Sequence, residues 1–180
     1  MSEAETVEEK RAKLIINYRK LNIEKIEREA EKILYHLSLK DQNFLLMCVV
    51  DQNTVGISYV RELKKLLDEK EAVKGIMVTS GRYTYSAMRA SEEMGIELIP
   101  STLPTFDIFK HKLVPKHEIL KEKEKQEILE RFHARPYQFP WIKASDPVSI
   151  ILGAEPGDIV RVIKESETAG RAESYRYVVK

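Results

Sequence analysis

The sequence predicts two parts: an α/β layer domain over residues 1–105 and a smaller α+β module over residues 106–180. Two observations lead to this fold class. In the first part, short continuous apolar runs alternate with amphipathic helical patterns, which indicates parallel strands joined by right-handed helical crossovers. Beyond residues 103–105 the pattern changes, because prolines and glycines become frequent. We therefore expect a domain break close to residues 103–106.

The first segment, residues 6–37, has the apolar spacing of a helix. Thr6 and Glu9 match a capping box at its beginning. Apolar residues then recur at intervals of three, four and seven positions: Leu14, Tyr18, Leu21, Ile26, Ile33 and Leu37. The spacing slips once near Asn22, so the pattern predicts either one helix or two consecutive helices.

Three apolar runs are predicted as buried strands. They are residues 44–50, residues 75–79 and residues 96–99, and each is bounded by residues that favour turns. Helices are predicted between them. One opens at Ser58, and the other is capped by Thr84 and stopped by Gly95.

The second part combines one charged helix with short strands. Residues 122–132 form the helix, with Ile128, Leu129 and Phe132 as its apolar stripe. Asp146 and Pro147 predict the cap and first position of a short helix that ends at Gly153. A turn is predicted at residues 155–158. Strands are predicted at residues 159–163 and 175–179, and residues 166–171 separate them.

Composition and charge exclude several function classes. The chain has 30 basic and 29 acidic side chains, which argues against a protein whose whole surface binds polyanions. The longest apolar run, residues 44–50, is too short to cross a bilayer, and residues 1–10 lack the pattern of a signal peptide. The single cysteine, Cys48, permits neither an internal disulfide nor a multi-cysteine zinc site. We expect no cofactor and no metal.

The first part resembles the core of restriction-endonuclease-like domains, which makes nuclease chemistry a candidate. Such nucleases need an acidic residue and a Glu-x-Lys on adjacent strands to hold Mg²⁺ and face the phosphate. Asp51 could supply the acid, but the nearby Glu62-Leu63-Lys64 lies on a predicted helix. The strand at residues 75–79 carries no carboxylate. The pattern therefore predicts no catalytic residues.

Histidines and the cysteine offer no clearer site. His36, His111, His117 and His133 do not fall at helical ligand spacing, and we interpret them as partly buried or interface residues. Cys48 lies within an apolar strand, where a cysteine is usually an inert small hydrophobe.

The turn at residues 80–82 is a candidate phosphate contact. It follows a predicted strand and opens a helix, so we expect unpaired amides and the Arg82 guanidinium to face outward. An ordinary strand-to-helix loop is the alternative. The predicted DNA-proximal residues are Arg82, Tyr83, Thr84, Tyr85 and Ser86.

From residue 111 onward the sequence contains five motifs in order: LVPKH, the Gln-x-Pro-x-Ile strand, the Asp-Pro-Val helix, the Pro-Gly-Asp turn and the Ser-Glu-Thr-Ala-Gly-Arg loop. This series closely resembles the assembly domain of the RNA polymerase subunit called H in archaea, the counterpart of the fifth subunit shared by eukaryotic nuclear polymerases. The first 105 residues look like the jaw domain of eukaryotic-type members, which typical archaeal members lack. Here Thr84-Tyr85-Ser86-Ala87 stands where the family often has Thr-Pro-Ser-Ala near downstream DNA.

The resemblance implies a noncatalytic polymerase subunit that docks on the largest subunit and neighbouring small subunits, with DNA contacted weakly and only within the complex. We expect its subunit interface at Pro115, His117, Gln138, Pro140, Asp146, Glu167, Arg171 and Arg176. Four residues depart from the family pattern: Trp141, Ile150, Ile151 and Ala172. Because the family has arginine at two of these positions, we expect part of the partner surface to be more apolar. The alternative is a free-standing DNA-binding or nuclease-like protein. The expected location is the cytoplasm for an archaeal source and the nucleus for a eukaryotic one.

Overall fold

The computed structural model describes residues 5–166 and 170–180 and divides into two compact units, Met1–Phe106 and Asp107–Lys180. Within the described residues, no helix is both long and apolar enough to cross a membrane.

The first unit is built on a five-stranded mixed sheet. In chain order the strands of this unit are β1 (Asn22–Arg28), β2 (Lys32–Leu39), β3 (Gln42–Val49), β4 (Thr54–Val55), β5 (Lys74–Thr79), β6 (Arg82–Tyr83) and β7 (Ile96–Ile99). The main sheet has the order β1-β2-β3-β5-β7, while β4 and β6 form a separate parallel pair. The strands β3, β5 and β7 run parallel, as the apolar runs predicted.

The helices of the first unit are α1 (Val7–Tyr18), α2 (Ile57–Glu69) and α3 (Tyr85–Met94). α2 and α3 pack on one face of the sheet, where their apolar residues share a core with alternate residues of β3: Leu45, Met47, Val49, Val60, Leu63, Leu67, Ala87 and Ala90. Thr84 caps α3 and Gly95 ends it at φ 68°, which confirms both helix signals.

The prediction of one or two helices over residues 6–37 is wrong beyond Tyr18. The capping box of Thr6 and Glu9 does begin α1, but residues 22–39 form the antiparallel strands β1 and β2. The connection from β2 to β3 is a tight turn in which Lys40 and Asp41 have φ of 48° and 63°. Because turns of this kind usually carry Asn-Gly or Asp-Gly, the Lys-Asp pair gave no hairpin signal.

The second unit is a four-stranded sheet with two short helices. Its elements are β8 (Lys116–Ile119), α4 (Glu122–Phe132), β9 (Trp141–Lys143), α5 (Pro147–Leu152), β10 (Ile159–Ser166) and β11 (Gly170–Val179). The strand order is β8-β10-β11-β9. The pairs β8–β10 and β10–β11 are antiparallel, whereas the pair β11–β9 is parallel. α4 packs on one face through Ile128 and Leu129 against Leu120, Ile159 and Tyr175.

Local signals in the second unit are confirmed. Asp146 accepts a hydrogen bond from Val148 N at 2.9 Å to cap α5, and Gly153 ends this helix at φ 75°. Gly157 has φ 105° in the turn closed by Asp158 N donating to Glu155 O at 3.0 Å. The strands β10 and β11 are longer than predicted, since β10 extends to Ser166 and β11 begins at Gly170.

The second unit is predicted to fold alone. Its sheet and helix α4 share an apolar core within residues 107–180, so a fragment of these residues should show one cooperative transition by calorimetry and protected amides in β10 and β11. A fragment that is unfolded in buffer would contradict this prediction and the proposed domain division.

Candidate functional site

The three central strands of the main sheet, β2, β3 and β5, carry no Asp or Glu. Cys48 faces α1, because its Sγ lies 3.8 Å from Glu8 O. Because side chains alternate along a strand, Leu46 of β3 lies on the same face as Cys48. Their pairing partners on β2 lie on this face too: Ile33 opposite Cys48, and Tyr35 opposite Leu46. All four side chains are uncharged and buried. Burial also raises the pKa of the Cys48 thiol, which keeps the sulfur protonated and unreactive.

The Glu-x-Lys on α2 is used in other contacts. Glu62 receives a hydrogen bond from Lys32 at 2.6 Å, and Lys64 pairs with Asp68 at 2.7 Å. Both residues lie on a helix, so they do not form a strand pair with Asp51. Among residues 5–166 and 170–180, no group of three or more His, Cys, Asp or Glu side chains is arranged to hold a metal ion.

A buried polar cluster on α1 ties the helix to the sheet. Arg11 is only 7% exposed and donates to three carbonyl oxygens: Leu103 O at 2.7 Å, Thr79 O at 3.1 Å and Ser101 O at 2.6 Å. Glu8 accepts from Ser80 N at 3.0 Å, and Glu9 pairs with Arg28 at 2.6 Å. These charged residues therefore fix α1 over the carboxyl ends of the strands.

The prediction of unpaired amides in the turn at residues 80–82 is wrong. The turn continues into β6, which pairs with β4, so backbone groups that a free loop would expose are used in the fold. The four amide contacts are Ser80 N with Glu8 Oε1, Gly81 N with Thr79 Oγ1, Arg82 N with Asn53 O and Thr84 N with Val55 O, all at 3.0–3.1 Å.

Gly81 is required by this close packing of the turn. A Cβ at this position would lie 2.1 Å from Gln52 O and 2.8 Å from Asn53 C, which are backbone atoms that cannot rotate away. The glycine is thus explained by structure rather than by phosphate binding.

Of the five predicted DNA-proximal residues, Tyr83 points inward. Its hydroxyl lies 3.0 Å from Met77 O and 3.1 Å from Ile99 O, to which it donates, and burial raises its pKa. Thr84 uses its Oγ1 to accept from Ala87 N at 3.2 Å. Arg82, Tyr85 and Ser86 are exposed, and Tyr85 keeps 77% of its surface accessible. Three of the five predicted residues therefore present exposed side chains at this turn.

The structure brings several predicted interface residues together in the second unit. His117 is half-buried, and its Nδ1 lies 2.7 Å from Pro115 O. Burial lowers the pKa of His117, and the nearby Arg176 guanidinium lowers it further. The Pro115 carbonyl and the Asp146 carboxylate act in the opposite direction and raise this pKa. These interactions place His117, Asp146 and Arg176 in one neighbourhood.

Gln138 and Pro140 lie on the segment that leads into β9. Gln138 accepts from Arg135 N at 2.6 Å, and Pro140 O accepts from Tyr177 N at 2.9 Å. Arg176 reaches the same strand, donating to Trp141 O at 3.3 Å. The predicted residues of this segment thus adjoin those around His117.

Arg171 is separate from this group. It lies five residues before Arg176 on β11, roughly 17 Å along an extended strand, and pairs with Glu173 at 3.0 Å. Glu167 lies outside the described residues, so its predicted role has no structural description.

Sequence reasoning missed two residues beside Trp141. Arg135 donates to the Tyr137 hydroxyl at 3.1 Å, and the Trp141 indole donates to Tyr137 O at 3.1 Å. Tyr137 and Trp141 are 55% and 63% exposed. The segment has neither helical nor strand periodicity, so the pattern gave no reason to group them.

Two family models match the two units. "RNA polymerase Rpb5, C-terminal domain" matches residues 106–178, and "Restriction endonuclease" matches residues 18–102. The predicted fold class is confirmed in both parts. Among solved structures, EndoMS in its apo form is similar over 54% of this chain and 46% of that chain, with 21% identity and a TM-score of 0.37.

Curated relatives match the second unit along most of their own length. DNA-directed RNA polymerase subunit Rpo5 of Staphylothermus marinus is 51% identical over 73 residues, which are 41% of this chain and 80% of that protein. The Pyrococcus abyssi protein of the same name is 54% identical over 41% of this chain and 90% of that protein. The Sulfolobus acidocaldarius protein of the same name is 44% identical over 44% of this chain and 94% of that protein. This chain therefore belongs to the Rpo5 family of archaeal RNA polymerase subunits, and it carries a restriction-endonuclease-like unit ahead of the region that the family shares.

Proposed function

We propose that this chain serves as a noncatalytic subunit of a DNA-directed RNA polymerase. The observation that carries the proposal is the match of the second unit to at least 80% of the length of proteins named as polymerase subunits, at 44–54% identity. The second unit is the module that attaches the chain to the enzyme. Its attachment residues are Pro115, His117, Gln138, Pro140, Asp146, Glu167, Arg171 and Arg176.

The partner that these residues meet is the largest polymerase subunit, together with neighbouring small subunits. His117, Asp146 and Arg176 support a single contact area, because Asp146 and Arg176 both lie close enough to His117 to influence its protonation. Arg171 supports a second contact farther along β11, since its side chain is 62% exposed. A subunit held at two separated places is fixed in orientation as well as in position.

The first unit serves as part of the jaw that faces downstream DNA. Arg82, Tyr85 and Ser86 are its contact residues, while Tyr83 and Thr84 hold the turn in place through internal hydrogen bonds. With one guanidinium and one or two hydroxyls available, the contact meets one or two phosphates and reads no bases. Binding by the free chain is therefore weak, and it matters only when the polymerase holds DNA nearby.

Arg82→Glu tests the DNA contact. The substitution should leave incorporation into the polymerase unchanged, because Arg82 lies outside the second unit, but it should shorten the lifetime of elongation complexes in a salt-sensitive manner. Arg89→Glu is the matched control and should leave this lifetime unchanged, since Arg89 is a 71% exposed arginine of α3 that is not an assigned contact residue. A photocrosslinker at residue 85 should label downstream duplex; labelling of protein alone would contradict the assignment.

A nuclease-like function is the second candidate, favoured by the restriction endonuclease match over residues 18–102. This function would need carboxylates to hold Mg²⁺. The face of β2 and β3 described above instead carries four uncharged residues, Ile33, Tyr35, Leu46 and Cys48, which argues against a nuclease. Affinity capture from native cells distinguishes the two functions. We expect the large polymerase subunits to be captured from the cytoplasm, and Mg²⁺-dependent cleavage abolished by Asp51→Asn would favour the nuclease instead.

A further inference from the structure

Four side chains form a continuous surface at the β9 edge of the second unit's sheet. Arg135, Tyr137, Trp141 and Arg176 make up this surface, named here the β9 edge patch. Trp141 is 63% exposed and Tyr137 is 55% exposed, although both are large aromatic residues. Two exposed aromatic side chains beside two arginines match the composition of residues that dominate binding energy at protein interfaces.

The patch is ordered by its own hydrogen bonds. Arg135 Nη1 donates to the Tyr137 hydroxyl at 3.1 Å, and Trp141 Nε1 donates to Tyr137 O at 3.1 Å. Arg176 Nη1 donates to Trp141 O at 3.3 Å. Side chains that are already held in place lose less conformational entropy when a partner binds.

The patch carries positive charge without internal compensation. Within residues 5–166 and 170–180, no carboxylate lies within 4.0 Å of a side-chain nitrogen of Arg135 or Arg176, whose hydrogen-bond acceptors are neutral oxygens. Lys143 lies on the same face of β9 as Trp141 and also has no ion pair among these residues. By contrast, Arg161 of the same unit pairs with Glu118 at 3.0 Å.

Backbone pairing at this edge is restricted. The outward carbonyls of β9 are already used, because Trp141 O accepts from Arg176 and Lys143 O accepts from Asp146 N at 3.0 Å. A partner strand would find few free acceptors there. Recognition at this edge must therefore depend mainly on side chains.

We propose that the β9 edge patch docks an acidic segment of a neighbouring polymerase subunit whose apolar side chains cover Trp141 and Tyr137. This inference rests on the proposed function and adds the chemistry of the partner. A protein segment fits better than single-stranded nucleic acid, which needs a basic groove along its backbone.

The test measures binding of the full-length chain to polymerase that lacks this subunit. Trp141→Ala should weaken binding about 30-fold, as expected for a central interface residue. The double variant Arg135→Glu, Arg176→Glu should weaken it similarly at low salt and less at high salt, because the lost attraction is electrostatic. Val73→Ala and Lys65→Glu, at exposed positions of the first unit, are the controls and should bind like the unsubstituted chain.

The outcomes separate this proposal from the proposed function. If the unsubstituted chain does not bind the polymerase, the subunit function itself is wrong and the patch proposal falls with it. If it binds and the folded patch variants bind equally well, only the patch proposal is wrong. Binding of an oligo-dT strand that is lost in Trp141→Ala would also overturn it, since the patch would then recognise nucleic acid.

Discussion

Arg11→Met is expected to destabilise the first unit by about 3 kcal/mol or more, since removal of the guanidinium leaves buried carbonyls without a donor. Arg11 donates to Leu103 O, Thr79 O and Ser101 O, all within 3.1 Å. Methionine would keep much of the side-chain volume but none of these hydrogen bonds. The free energy of unfolding, measured by denaturant titration with circular dichroism, gives the result directly.

Lys10→Met is the matched control for this loss. Lys10 is the preceding residue of α1 and is exposed, so its substitution should change stability by less than about 0.5 kcal/mol. Arg11→Lys should not restore stability, because one ammonium group cannot reproduce the planar fork that serves three carbonyls. Equal stability of the Arg11 and Lys10 variants would contradict the proposed anchoring of α1.

Gly157→Val is expected to destabilise the second unit by about 1–3 kcal/mol, because valine is strained at positive φ. Gly157 has φ 105°, and an added Cβ would meet no heavy atom within 4 Å, so the loss would come from the backbone rather than from a clash. Gly157→Asn is the informative control, since asparagine tolerates positive φ better than valine. A thermal midpoint unchanged by valine would show that the turn can adopt another form.

Arg171→Ala should show the opposite pattern. Its side chain is 62% exposed and, among the described residues, forms its ion pair at the surface with Glu173, so removal should leave the thermal midpoint of the second unit nearly unchanged. Docking on the polymerase should weaken by about 2 kcal/mol if the residue lies at the centre of a contact. A variant that unfolds in isolation would assign Arg171 to the fold instead of the interface.

The parallel half of the first sheet could be predicted because its evidence is local. Each of β3, β5 and β7 is an apolar run with its own turn residues, and Thr84 and Gly95 mark the ends of α3. By contrast, β1 and β2 are set by pairing with β3 across a Lys-Asp turn. Ile26, Ile33 and Leu37 happen to fall at helical spacing, and tertiary pairing overrode that pattern.

The candidate site was predictable in part for the same reason. The caps and turns around Asp146 and Gly157 follow from residue type, so the framework of the second unit could be anticipated. The buried role of Arg11 could not, because its acceptors lie 68–92 residues away in the chain. Likewise, the inward position of Tyr83 could not be predicted, because the contacts of its hydroxyl with Met77 O and Ile99 O leave no local signal in the sequence.

The measurement that tests the subunit function most directly is native mass spectrometry of polymerase assembled from its separate subunits, with and without this chain. We expect one copy to be incorporated, raising the mass of the complex by 20.9 kDa, and residues 107–180 alone to compete with the full chain for that position. A polymerase whose mass does not change, with the chain remaining free beside it, would contradict the proposed function.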